Sequence, residues 1–164
     1  MARAVERARV PATPMIVATS ERPDLAAVTA RWRREAFARG RSLSEVAAAE
    51  AATAAGPGPM PRTLVLLAGG EPVGMASLVA HDLDPRPDLT PWLAGVYVPP
   101  HARGRGHAAR LVAAIEAEAA ASGVATLWLY TRTAEPLYAR LGWRTVERFA
   151  YRDEPYALMR RDLP

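Results

Sequence analysis

The sequence predicts an α/β domain of seven strands and four helices, and three observations carry that prediction. Two apolar runs at 63–68 and 72–80 are joined by Gly69-Gly70-Glu71, a hairpin signal. An apolar strand at 92–98 passes through a glycine-bearing loop into a long alanine-rich helix. Beyond that helix, runs of strand length alternate with a short helical segment to the C-terminus, with no internal repeat.

Taken in order, residues 1–14 are rich in Arg, Ala and Pro and hold Glu6. They lack the apolar stretch of an export signal and the serine content of a transit peptide, so a disordered tail is expected ahead of one domain over 15–164. Met15-Ile16-Val17-Ala18 reads as a short strand. Pro23 stands near the start of a helix expected to reach about Arg39 and to close at Gly40. Ser42-x-x-Glu45 is a capping box opening a second helix to about Ala54, which Gly56-Pro57-Gly58-Pro59 stops. After the hairpin, 81–91 is a polar loop broken by prolines. The strand at 92–98 follows, then a helix from Gly104 to Ser122 stopped by Gly123. The remainder reads as a strand at 126–130, a helix at 134–141, and strands at 143–151 and 156–161 about a turn of Arg152-Asp153-Glu154-Pro155.

Composition narrows the function classes. A chain of 164 residues suits one domain with a sizeable core. No window approaches the apolar length of a membrane span, and no membrane association is expected. With no cysteine there is no disulfide framework, thiolate metal site or cysteine nucleophile, and the expected compartment is the cytoplasm. His81, His101 and His107 do not form a metal-ligand spacing, so no metal is expected. The net charge of +4 comes from scattered Arg, densest only at Arg31, Arg33 and Arg34. No basic stripe interleaved with aromatics is visible, so nucleic acid is not an expected partner.

The segment from Val96 to Ala108 carries the most chemistry. A helix N-terminus presents unpaired N–H groups and the positive end of the helix dipole, and Gly104 and Gly106 let an anion approach those amides. It reads as a phosphate cradle. A Walker A loop is excluded, because all 21 basic residues are Arg and that loop needs a Lys. Gly104-x-Gly106-x-x-Ala109 fits a dinucleotide fingerprint in spacing, but five residues separate Val98 from Gly104, and the following strand ends in Tyr130-Thr131 rather than an acid.

Arg103-x-x-Gly106-x-Ala108 resembles the coenzyme A pyrophosphate loop of the GNAT superfamily of N-acetyltransferases. Downstream, Leu127-Trp128-Leu129-Tyr130-Thr131 followed by Leu137-Tyr138-Ala139-Arg140-Leu141-Gly142-Trp143 resembles the same family's later strand and tyrosine-bearing helix. The likeness runs from about Met15 to the C-terminus. It implies a mixed, mostly antiparallel seven-stranded sheet flanked by helices and splayed between its fourth and fifth strands, at 92–98 and 126–130. It also implies acetyl-CoA as co-substrate, bound in that slot by Val96, Tyr97, Val98, Arg103, Gly104, Arg105, Gly106, His107, Ala108, Thr131 and Tyr138. The backbone amides of 104–108 are the firmest part of that set, since exposed arginines beside a glycine loop also occur merely solvated.

Acetyl transfer from a thioester to an amine needs a base for the amine, a donor to the oxyanion and an acid for the departing thiolate. The resemblance lays the pantetheine arm along 92–98 as an added strand and gives Tyr138 the role of acid, against the alternative of an ordinary core tyrosine. Gly95 reads either as a bulge that aims the Val96 N–H at the acetyl carbonyl or as a site of close packing against a helix. For the base, Asp82, Asp84 and Asp88 precede the key strand, and Asp88 is the residue selected; Glu35 is a further candidate. Trp32 and Trp92 either line the acceptor site or belong to the core. No nucleophile-elbow sequence surrounds Ser77 or Ser122, which leaves direct transfer within a ternary complex. The expected acceptor is a small-molecule or peptide primary amine, and exposed sheet edges favour a homodimer. The rival is a catalytically silent acyl-CoA-binding sensor or interaction module of the same fold.

Overall fold

The computed structural model describes residues 13–164. Of the expected tail, residues 1–12 lie outside the described residues. The seven strands are β1 (Met15–Ala18), β2 (Arg62–Ala68), β3 (Glu71–Val79), β4 (Trp92–Tyr97), β5 (Thr126–Thr131), β6 (Arg144–Tyr151) and β7 (Glu154–Asp162). The helices are α1 (Ala26–Phe37), α2 (Leu43–Ala55), α3 (His107–Ala121) and α4 (Glu135–Arg140). One sheet holds all seven strands in the order β1-β2-β3-β4-β5-β7-β6. Every neighbouring pair is antiparallel except β4 with β5, which is parallel.

Local chemistry explains most boundaries. The β2–β3 hairpin turns on Gly69 and Gly70, with φ of +59° and +83°, the left-handed pair that matches strand twist in a two-residue turn. In the capping box, Ser42 Oγ accepts the Glu45 N–H at 3.2 Å and Glu45 Oε2 accepts the Ser42 N–H at 3.0 Å, so two orphan donors are satisfied reciprocally.

Three expected boundaries are corrected. The first helix divides into a 3₁₀ turn at Pro23–Leu25 and α1, which ends at Phe37. The last turn contracts to Arg152-Asp153, both at positive φ, with Tyr151 paired to Glu154. The third helix begins at His107 rather than Gly104, because Gly104 and Gly106 both sit at φ +77°, a left-handed conformation that cannot propagate a right-handed helix.

Both faces of the sheet are covered, as the alternation along β2 shows. Leu64 and Leu66 enter the main core beside Leu111, Val112, Ile115 and Ala119 of α3, whereas Val65 and Leu67 point to the opposite face and pack with Leu25 and Val28. Along β4 this alternation is broken by one extra residue. Ser77 pairs with Ala94 but Met75 pairs with Tyr97, so two steps on β3 match three on β4, and Gly95 and Val96 have no ladder partner there. The bulge keeps Leu93, Val96 and Val98 all in the α3-side core, while Tyr97 reaches Trp32 of α1 at 5.7 Å between ring centroids.

Candidate active site

Beside this bulge the sheet opens. β4 and β5 share a single ladder pair, Trp92 with Trp128, supported by the Trp128 N–H donating to the Pro91 carbonyl at 3.1 Å. From there the strands diverge, so the segment from Gly95 to Val98 keeps an edge that β5 does not cover. A cavity lies at each end of this segment: Gly95 lines one and Val98 the other.

The cavity at Val98 encloses about 410 Å³ between the glycine loop, the start of α3 and α4, lined by Val98, Arg103, Gly104, Gly106, His107, Ala108, Leu137 and Arg140 among others. Nothing lies within 4 Å of where a Cβ would stand at Gly104 or Gly106, so both backbones face open space. Gly106 caps α3 without any side-chain acceptor for the helix's first N–H groups. The Arg103 Nε donates to the Val98 carbonyl at 2.8 Å, tying the loop back to the strand. His107 is 7% exposed and its Nδ1 has no hydrogen-bond partner; burial, then Arg110 and Arg105, hold its pKa below the ordinary histidine range. Open glycines, uncapped amides, arginines and an orphan ring nitrogen suit a diphosphate.

The cavity at Gly95, of about 390 Å³, is lined by Arg33, Ala36, Phe37 and Ala38 of the first helix and its end, by Asp82 and Gly95, and by Tyr130, Tyr151, Arg152 and Tyr156. Gly95 has φ +59°, and a Cβ there would run into the Arg33 guanidinium. Both readings of Gly95 therefore hold at once: it forms the bulge and admits a side chain from α1. Arg33 is fixed from behind by an ion pair of its Nε with Glu50, a residue only 5% exposed, and by Nη2 donating to Ser77 Oγ at 2.8 Å. Thr29 Oγ1 donates to Glu50 Oε2 at 2.9 Å, and Ser77 and Thr63 share a hydroxyl bond of 2.8 Å, which completes a buried polar network. Among the described residues no group accepts from Arg33 Nη1.

Asp82 is an exposed residue on the cavity lining. Desolvation pushes its pKa up to about 6, against the opposing pull of Arg33 and with a further rise from Asp84. The neighbouring Tyr130 hydroxyl is also held above its ordinary range, first by burial and then by Asp82.

The expected site residues divide. Val96 and Tyr97 lie on the bulged strand with Val98 directly after it, and Arg103, Gly104, Gly106, His107 and Ala108 surround the first cavity, whereas Arg105 does not line it. Thr131 ends β5, where its hydroxyl accepts the Ala134 N–H at 3.1 Å and shapes the entry to α4. Tyr138 projects from α4 into the α3-side core with Val96, 7% exposed and 6.2 Å from the Trp143 ring. Burial pushes its phenol up to about 12, and no protein group among the described residues bonds its hydroxyl.

Asp88 stands apart from both cavities. It is exposed and is held by two bonds of 3.0 Å from Arg86, which lower its pKa and weaken it as a base. Glu35 is exposed on α1 outside the cavity. Trp92 is wholly buried with its Nε1 bonded to the Leu89 carbonyl, and Trp32 is 8% exposed, so both serve the core. Sequence reasoning missed Arg33, Phe37, Tyr130, Tyr151, Arg152 and Tyr156 as cavity residues, and Arg140 on the phosphate side. The available signal for the hairpin pair was two tyrosines close to one turn, Tyr151 directly before Arg152-Asp153 and Tyr156 three positions after it.

Comparison with known proteins agrees with this architecture. The acetyltransferase (GNAT) family model matches residues 26–143, and the chain belongs to that family. Among solved structures, an N-acetyltransferase from Staphylococcus aureus Mu50 superposes with a TM-score of 0.71 at 20% identity, covering 93% of this chain and 100% of that one. An aminoglycoside 6'-N-acetyltransferase complexed with coenzyme A gives 0.71 at 16% identity over 90% and 96% of the two chains. The yncA protein of Salmonella typhimurium, solved with its cofactor acetyl-CoA, gives 0.69 at 19% identity over 93% and 95%. These likenesses establish the fold. No curated protein matches the sequence. Among the described residues, no helix is long and apolar enough to cross a membrane.

Proposed function

We propose that this acetyltransferase moves the acetyl group of acetyl-CoA directly to a primary amine within a ternary complex. The observation that carries the reading is the bulge at Gly95 and Val96, set at the mouth of the β4–β5 split with a cavity at either end. On this reading the amides of 104–109 hold the diphosphate, and the free edge of 96–98 pairs with the pantetheine amides as an added strand would. The Val96 N–H, released from the ladder by the bulge, stabilises charge developing on the carbonyl oxygen.

The amine nitrogen forms a bond to the acetyl carbon as the carbon–sulfur bond breaks with its electron pair going to sulfur. Asp82 receives the amine proton and Tyr138 supplies one to sulfur. An ammonium near pKa ~10 and a carboxyl of ordinary pKa 3.8 are poorly matched in water, but desolvation lowers the first and pushes the Asp82 carboxyl up to about 6, which narrows the gap. The burial that raises the Tyr138 phenol raises the departing thiol as well. The test is calorimetry with coenzyme A followed by free-thiol release from acetyl-CoA with a panel of amines. Association with coenzyme A and release dependent on an amine are expected; binding without turnover on any amine would leave an acyl-CoA-binding module instead.

A further inference from the structure

The lining of the cavity at Gly95 carries both signs of charge. Asp82 contributes a carboxyl. Two guanidinium groups line it as well, Arg33 from α1 and Arg152 from the tip of the β6–β7 hairpin. Arg33 arrives with its Nε committed to Glu50 and Nη2 to Ser77, leaving Nη1 over Gly95 with two N–H groups unused. Arg152 lies over the Tyr151 ring at 4.9 Å, and its one carboxylate partner among the described residues, Asp84, is 4.0 Å away with both side chains largely exposed, a contact too solvated to occupy it. Between these charges the walls are Phe37, Tyr151 and Tyr156. A monocation would meet two arginines here, and a simple anion would meet Asp82. A zwitterion satisfies both.

We propose that the acceptor is an α-amino acid with an apolar or aromatic side chain, its carboxylate received by Arg33 and Arg152 and its amine directed to Asp82. The proposal rests on the acetyl-transfer reading above. The products are the N-acetyl amino acid, free thiol and one proton: the ammonium gives its first proton to Asp82 to become the nucleophilic amine, its second leaves as the amide forms and passes to solvent, and Tyr138 protonates the thiolate and recovers its own proton from solvent. The aromatic walls hold the side chain, and the roughly 390 Å³ of space admits one residue rather than an extended peptide. Loss of the carboxylate would leave the two guanidinium groups without an acceptor and facing a monocation, which is the arrangement that discriminates most strongly against an analogue.

The experiment measures thiol release from acetyl-CoA with the twenty protein amino acids, their α-amides and the matching decarboxylated amines. For the apolar and aromatic members, kcat/KM for the acid is expected to exceed that for the amide and the amine by about 10- to 100-fold, the range of one or two charge-assisted hydrogen bonds. Arg152→Ala is expected to shrink the acid-to-amide ratio several-fold, mainly through KM for the acid. Arg33→Lys keeps a positive charge beside Glu50 but loses the planar fork, and should shrink the ratio as well. The wild-type ratio decides the matter without either variant. Equal use of acid and amide, or preference for the decarboxylated amine, overturns the amino-acid assignment while leaving acetyl transfer to amines standing. Failure of every amine, with coenzyme A bound, overturns the transfer reading itself.

Discussion

The assignment of Asp82 as base turns on a carboxyl whose pKa lies near 6, and it predicts a specific loss of pH dependence on replacement. A base works only when deprotonated. With a pKa of about 6 against an ordinary 3.8, Asp82 is about one-tenth ionised at pH 5 and about nine-tenths at pH 7. The acid limb of kcat/KM should therefore rise with pH and bend near 6. Asp82→Asn should lower kcat/KM by about 10²- to 10⁴-fold at pH 7, the usual worth of positioned general-base catalysis, and should abolish that bend. Stability supplies the control. Because the folded-state pKa is raised, the folded protein holds this proton more tightly than the unfolded chain, so its stability falls as pH rises from the ordinary carboxylate range through about 6. The Asn variant lacks that loss. Its unfolding midpoint should match wild type near pH 4 and equal or exceed it at pH 8, which separates lost chemistry from a damaged fold. A variant that keeps the bend near 6 and most of its rate at pH 7 would remove Asp82 from the mechanism.

Tyr138→Phe should lower kcat by about 10²-fold while shifting stability by less than about 1 kcal/mol, because the hydroxyl bonds to no protein group among the described residues; unchanged turnover across pH would return Tyr138 to the core alone. Gly106→Val forces a β-branched residue to φ +77° at the cap of α3, and calorimetry should show the Kd for coenzyme A raised about 10-fold or more. Unaltered affinity there would mean that the loop does not grip the diphosphate. Glu50→Ala leaves Arg33 with an uncompensated, mostly buried charge and should cost about 3 kcal/mol or more in urea unfolding. A change below about 1 kcal/mol would show that water, not Glu50, balances that guanidinium.

The donor side was legible in the sequence because its parts are contiguous. The residues from Val98 to Ala109 form strand end, loop and helix start in one stretch, and Leu137 and Arg140 return to it on the next short helix. The start of α3 was misplaced because glycine in a loop and glycine in a first helical turn look alike until φ separates them. The choice among the loop carboxylates is hard to read from the sequence for a related reason. Asp82 and Asp88 are the same residue type in the same polar loop, and what distinguishes them is solvation: Arg86 clasps Asp88 in the open, while desolvation raises the Asp82 pKa. The acceptor cavity was invisible because Arg33, Asp82, Tyr130, Tyr151 and Tyr156 come from five separate places in the chain. Only the antiparallel pairing of β7 with β5 and β6 gathers the three tyrosines, with Tyr130 and Tyr156 5.3 Å apart between ring centroids.

This division of the site has a physical basis in how each half is held. The proposed cradle depends on backbone amides and glycine dihedrals rather than on side chains brought from elsewhere in the chain. The acceptor wall depends on side chains carried by α1 and the β6–β7 hairpin, and Arg33 reaches it only because Glu50 on α2 and Ser77 on β3 fix its other nitrogens. Gly95 is where the two halves meet. Its left-handed backbone makes the bulge that frees Val96 on the donor side, and its missing Cβ leaves the space that the Arg33 guanidinium fills on the acceptor side. A side chain at this one position would displace Arg33 and strain the bulge together, so on the proposed reading the separation between the two substrates is set by a residue that itself contacts neither through a side chain.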